Sequence, residues 1–400
     1  MALPDANKNY DIELLRGVAV LFVVIHHVRE LFTWDGRWQA LFLVTTFWGG
    51  VDLFFCISGY VIARSLLRRN AADSFIDFAL PFWIRRASRI WPAAVFWVML
   101  AILASLLFNR TGAFGPFKAN LIDGVAAVTQ VANFHFLGCW SYHHGLCGNE
   151  GIYWSLSLEE QFYVVLPFAL FFLPRQWLLA GLIAAIGAQA FLERPMGSLG
   201  WMLRTDAICY GVLIAFAAEA KLQEKLPIGL LRSKPRAFAL SLGLILLMAL
   251  IPTGNVVWFD TGLLAVVCAI LVLIASYDAR LILPAPLLGP VLAWIGSRSY
   301  AIYLTHTFSY WLTREVFYRA FPDRTFDAHF TLPFVLVAAI FIVSFSEASY
   351  RWIEKPLRER GREIAAHYRA APPPLQTEAT TPEASAGALT LETPRPLAPG

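Results

Sequence analysis

The chain has 400 residues, 58% of them hydrophobic and only 15% charged, with a net charge of +4. Soluble domains carry about 25% charged residues, and no basic tract here is long enough to hold nucleic acid. The long, recurring apolar runs predict an all-α, polytopic membrane protein. The N-terminal stretch MALPDANKNYD lacks a basic region and a small-residue cleavage site, so no cleaved signal peptide is expected.

The first apolar run, 12–32, reads IELLRGVAVLFVVIHHVRELF. Ten residues separate Arg16 from His27. On a helix the two side chains lie roughly 16 Å apart along the axis and on similar faces. A cation and an imidazole inside a membrane span are costly and mark function. Further spans are expected at about 43–64, 90–108, 162–178, 179–193, 200–220, 237–252, 260–277, 297–317 and 328–349, about ten in all. The less apolar run 119–137 carries Asp123, Gln130 and Asn133 and reads as a re-entrant or interfacial helix. Basic residues crowd three connections: Arg64, Arg68, Arg69, Arg85, Arg86 and Arg89; then Lys221, Lys225, Arg232, Lys234 and Arg236; then Arg351, Lys355, Arg358, Arg360 and Arg362. With ten spans these lie on one side, the cytoplasm, and both termini join them there. The membrane domain is expected over 1–358, followed by a cytoplasmic tail over 359–400. From about 371 the tail is rich in Pro, Ala, Thr and Glu and should be disordered. Cys56, Cys209 and Cys268 lie in apolar runs. Cys139 and Cys147 share a polar loop and form the one plausible disulfide pair.

Four further stretches put polar groups where lipid alone rejects them. In GGVDLFFCISGY, 49–60, Asp52 and Ser58 sit among aromatics, as a helix-packing motif or a site. In FWIRRASRIWP, 82–92, Arg85, Arg86 and Arg89 make either a positive-inside anchor or a cytoplasmic site for phosphate. In GIYWSLSLEEQFYVVLP, 151–167, Trp154, Ser155, Glu159, Glu160 and Tyr163 open a span. Adjacent acids cannot share a face, so one, taken as Glu159, should point inward. In LRTDAICYG and SRSYAIYLTH, Arg204 and Asp206 are positioned to neutralise other charges. Tyr300, Tyr303 and His306 follow one span, His306 either bonding a neighbour or serving a site. There is no Walker loop, dinucleotide fingerprint, H-E-x-x-H or cysteine metal cluster, so no metal or bound cofactor is expected.

In this order the blocks resemble the membrane-bound acyltransferase family 3, bacterial O-acyltransferases that modify carbohydrates. The resemblance covers residues 10 to about 358 and rests on Arg16-x10-His27, GVDLFFCISGY, RRASRIWP, WSLSLEEQFY, RTDAICYG and SYAIYLTH. The Cys139–Cys147 loop is outside the pattern. The resemblance implies a bacterial inner-membrane enzyme that moves an acyl group, commonly acetyl, from cytoplasmic acyl-CoA to a sugar hydroxyl, with acyl-CoA, a carbohydrate acceptor and membrane lipid as partners. The donor's phosphates call for arginine, and the hydroxyl calls for a base such as His27. Arg16 is expected to help hold the donor, and Glu159 to orient an imidazole. His27 acts either as that base or as a covalent acyl carrier. Adjacent His26, turned by about 100°, should face elsewhere. A lipid-linked-sugar transporter also needs buried charge, but it favours internal repeats, and none is visible. A membrane scaffold leaves the ordered polar blocks unexplained.

Overall fold

The computed structural model describes residues 9–32, 45–68, 74–222, 233–253 and 257–370. Asn9 caps the first helix by accepting from the Ile12 N–H at 2.9 Å, and Asp11 and Glu13 occupy its first turn, where the helix dipole favours acids. That helix, α1, runs Tyr10–His27, so His27 is its last residue. Then come α2 (Gly50–Leu67), α3 (Phe75–Leu107), α4 (Phe117–Val128), α5 (Ala132–Tyr142), α6 (Tyr153–Phe172), α7 (Arg175–Ala190), the short α8 (Leu199–Met202) and α9 (Asp206–Glu219). The second half holds α10 (Lys234–Leu250), α11 (Asp260–Ser276), α12 (Leu288–Ser297), α13 (Ser299–Ala320) and α14 (Thr331–Ser349). A π-helical turn over Tyr350–Glu354 leads into α15 (Lys355–Ala370). No strand occurs among the described residues.

Six of the described helices are long and apolar enough to cross a membrane. The set omits α1 and α13, which carry Asp11, Glu13 and Arg16, and Arg314, Glu315 and Arg319. Both are nevertheless buried along most of their length. Protein rather than lipid surrounds them, which is where ionisable groups in a membrane domain belong.

Glycine allows α2 and α9 to meet backbone to backbone. A Cβ on Gly59 of α2 would run into the Ile208 carbonyl at the start of α9, and one on Gly211 of α9 would run into the Cys56 carbonyl. The two backbones touch, as small-residue helix contacts permit. This contact carries Asp52 on α2 and Arg204, just before α9, into one plane of the bundle.

The structure moves several expected boundaries. The third span begins at Phe75, not near 90, so Arg85, Arg86 and Arg89 lie within a 33-residue helix. The span expected from 162 begins at Tyr153, because its polar residues face protein. The 119–137 run is two short helices, α4 and α5, broken near Gln130, whose φ of 59° is left-handed. Helix α12 was not anticipated. Helix α15 extends the compact unit to Arg369, past the expected limit of 358. Its Gly361 seats against Ser88 of α3, and Ala365 is buried. Arg69, Lys225, Arg232 and the segment 371–400 lie outside the described residues.

Candidate active site

Among the described residues, two cavities are both lined by Val51 of α2 and Tyr303 of α13. The first is a narrow slot of about 70 Å³ bordered by Arg16, Arg86, Arg89, Ser58, Glu159 and Glu160. The second is wider, about 420 Å³, and among the described residues it is lined by His26, His27, Arg204 and the indoles of Trp48, Trp140, Trp154, Trp201 and Trp311. Its lining includes Gly148, Asn149 and Gly151, just after the loop closed by the Cys139–Cys147 disulfide, whose Cα atoms are 5.9 Å apart. Arg16 and His27 therefore serve different cavities from the two halves of one helix.

Tyr303 is the wall between them. Its hydroxyl donates to the Ile152 carbonyl at 2.8 Å and pairs with the Ser155 hydroxyl at 2.7 Å. Both partners belong to the start of α6. The Tyr300 hydroxyl instead donates to the Ile90 carbonyl at 2.7 Å and ties α13 to α3.

The ring of His27 has a defined chemistry. His306 Nδ1 lies 2.7 Å from the Tyr303 carbonyl, which only accepts, so that nitrogen carries the proton and His306 Nε2 is a lone pair. His27 Nδ1 faces two acceptors, the Val23 carbonyl at 2.9 Å and His306 Nε2 at 3.1 Å. It must donate. In the neutral ring the remaining lone pair is then on Nε2 of His27, in a ring that lines the wider cavity.

Glu159 has different neighbours from those expected. It accepts from the Ser58 and Tyr163 hydroxyls, in the first cavity. The imidazole is oriented by His306 and the Val23 carbonyl, so the orienting role expected of Glu159 falls to them. Glu159 and Glu160 both line the slot, although adjacent residues on a helix point about 100° apart. His26 is corrected likewise. It lines the same cavity as His27, with ring centroids 5.1 Å apart, because the helix ends there and the cavity wraps its last turn.

The basic residues divide. Arg86 and Arg89 line the slot and Arg85 does not, so the three do not share one face. Arg86 stacks over the Tyr163 ring at 5.4 Å, and Arg16 donates to Glu13 at 2.7 Å. Arg204 is fully buried and forks onto Asp52, Nε to Oδ1 at 2.9 Å and Nη2 to Oδ2 at 3.1 Å. The rings of Trp201, Trp154 and Trp48 pack on its guanidinium at 3.9, 4.7 and 5.1 Å. Asp206 accepts from Arg194 at 2.7 Å, behind the cavity. Sequence reasoning missed Trp48, Trp201, Trp311, Glu30 and Arg314 at the second cavity. Arg314 and Trp311 were within reach, since they continue the polar face of the helix that carries His306.

A family model described as an acyltransferase domain matches residues 9–346. The chain belongs to this acyltransferase family, the one its ordered polar blocks resemble. Among its relatives is the O-acetyltransferase OatA of Staphylococcus aureus (strain NCTC 8325 / PS 47), 26% identical over 381 residues, covering 87% of this chain and 57% of OatA. A protein named as an O-acetyltransferase in S. aureus strain COL is 28% identical over 376 residues, again 87% of this chain and 57% of the relative. The chain thus spans little more than half the length of these curated relatives. No solved structure matches the acyltransferase chain.

Proposed function

We propose that this family member is an O-acyltransferase of the bacterial inner membrane. In this reading it moves an acyl group, acetyl in the simplest case, from cytoplasmic acyl-CoA to a hydroxyl of a cell-surface or exported carbohydrate. The observation that carries it is the pair of cavities meeting at Val51 and Tyr303, one basic, the other rich in tryptophan and holding the His27 lone pair. The slot takes the donor: Arg16, Arg86 and Arg89 face the phosphates, and the thioester end points toward Tyr303. The wide cavity takes the acceptor, whose ring stacks on indoles. His27 Nε2 accepts the hydroxyl proton as that oxygen bonds to the thioester carbonyl carbon. The carbon–sulfur bond breaks, and CoA leaves as the thiol by taking that proton back from His27. The ten-span topology fits the basic connections, with both termini cytoplasmic and the disulfide loop outside, where a disulfide persists.

The test uses purified full-length protein in vesicles with labelled acetyl-CoA and glycans extracted from the source cells. Label should move to glycan as free CoA appears, and His27→Ala should stop both. CoA release without any labelled glycan in the presence of those extracts would sink the carbohydrate reading. Label trapped on His27 would make it an acyl carrier instead of a base.

A further inference from the structure

Among the described residues the wider cavity is lined by three arginines, Arg29, Arg204 and Arg314, and by a single acid, Glu30. Glu30 follows His27 by three residues, in the short turn Val28–Glu30 that continues α1. Helix α13 holds it at two points. Its carboxylate accepts from Trp311 Nε1 at 2.9 Å, and its backbone carbonyl accepts from Arg314 Nη1 at 3.3 Å. Trp311 and Arg314 are three apart, neighbours on one helix face. The same helix sets His306 Nε2 at 3.1 Å from Nδ1 of His27. One element thus fixes both the ring and the carboxylate. Among the charges around that carboxylate, His27 interacts with it most strongly, ahead of Arg314 and Arg29.

Taking the hydroxyl proton turns His27 from a neutral ring into a cation. A charge that forms away from bulk water is costly without a partner. The two groups on Nδ1 of His27, the Val23 carbonyl and the His306 lone pair, are both neutral. The arginines that line the cavity oppose the new charge, and Glu30 is the lining residue that can offset it. We propose that Glu30 is a positioning residue of the transfer reaction, a fixed carboxylate whose negative charge stabilises the imidazolium that His27 becomes. The inference rests on the reading of His27 as the base. A carboxylate set in place beforehand need not reorganise as the ring gains its charge, which is how a fixed electrostatic partner speeds a step. Glu30 acts through His27 and takes no proton itself.

The test compares Glu30→Gln, Glu30→Asp and His27→Ala with the parent. Full-length protein in vesicles is given labelled acetyl-CoA and glycans extracted from the source cells. Glutamine keeps the size of the side chain and an oxygen for Trp311 Nε1, and removes only the charge. Aspartate keeps the charge at a shorter reach. Glu30→Gln should lower kcat by about 10²-fold, with KM for acetyl-CoA and for the glycan within about twofold of the parent. Glu30→Asp should stay faster than Glu30→Gln. A side chain that served only packing would give the reverse order, because glutamine is the closer match in shape. Acetyl-CoA binding in the slot reports that each variant is folded. Parental kcat in Glu30→Gln beside an inactive His27→Ala overturns the inference and leaves the base reading standing. Glu30→Asp slower than Glu30→Gln overturns it as well. Should Glu30→Gln not fold, Glu30→Asp decides. It should keep about a tenth of the parental kcat or more, since loss of the Trp311 bond costs roughly tenfold, and activity as low as that of His27→Ala overturns the inference. Parental kcat in His27→Ala removes the base reading and the inference together.

Discussion

Val23 and His306 both accept from the same nitrogen of His27, which leaves the ring one lone pair to offer the cavity. His27→Ala should therefore cost about 10²–10⁴ in kcat, with acetyl-CoA binding in the slot preserved. His306→Ala should cost far less. It removes one of two acceptors on Nδ1, a bond of about 1.5 kcal/mol, which is roughly tenfold in rate. The Val23 carbonyl still holds the tautomer. A His306→Ala variant as dead as His27→Ala, with its melting temperature unchanged, would mean that His306 takes part in the chemistry directly. His27 and His306 were both legible in the sequence as intramembrane histidines. Their pairing across 279 positions was not, because no local pattern links the end of α1 to the middle of α13. The role of Glu159 was misread for a related reason: an acid next to a histidine is a sound pairing only when the bundle brings them together, and here the nearest hydroxyls belong to Ser58 and Tyr163.

Helices α2, α10 and α11 were readable from apolar runs alone, since their charges lie at their ends. Helices α3 and α6 were cut short for the opposite reason. Arg85, Arg86 and Arg89, and Glu159 and Glu160, lower the local hydropathy, yet the backbone continues through them, and Arg86, Arg89 and both glutamates face a cavity instead of lipid. The α2–α9 contact makes a sharper statement. Gly59→Val puts a branched side chain into the Ile208 carbonyl, a backbone atom that cannot give way, and should leave little folded protein. Gly181→Ala, in α7 with open space around it, should gain about 0.5–1 kcal/mol. A Gly59→Val protein that purifies and melts like the parent would show that these helices do not depend on backbone contact. The disulfide loop carries its own test. Burial, then the neighbouring carboxylates of Asp123 and Glu30, raise the Glu150 carboxyl well above its ordinary 4.5. An acid raised in the folded state holds its proton there after the unfolded chain has lost it. Stability is therefore lost as pH climbs from the unfolded value toward the folded one. Glu150→Gln should raise the melting temperature, and more at about pH 8 than at about pH 5. An equal effect at both would place the cost in packing.

At the scale of the molecule, the proposed reaction requires a donor in one cavity to reach an acceptor in the other. Each cavity has its own end of α1, Arg16 in the slot and His27 in the wide chamber, and only Val51 and Tyr303 belong to both. Tyr303 is pinned at its hydroxyl by Ile152 and Ser155, so its ring is the fixed part of the shared wall. Val51 is the small part of that wall, so the proposed transfer must pass beside it. In an acyl transfer the carbonyl carbon must come within about 3–3.5 Å of the attacking oxygen, so a bulky group at 51, a position that lines both cavities, should separate the reactants. Val51→Trp is expected to bind acetyl-CoA in the slot and sugar in the chamber with affinities near those of the parent, while transfer falls by 10²-fold or more, as misplacement by about 1 Å does elsewhere. Val51→Ala, which widens the same point, should keep most of the transfer. It should also release more CoA when no acceptor is present, since water can then enter from the chamber side. Binding and label transfer measured on one vesicle preparation read all of this. Transfer at the parental rate in Val51→Trp would mean that the acyl group crosses by another route, and the two cavities would no longer be halves of a single site.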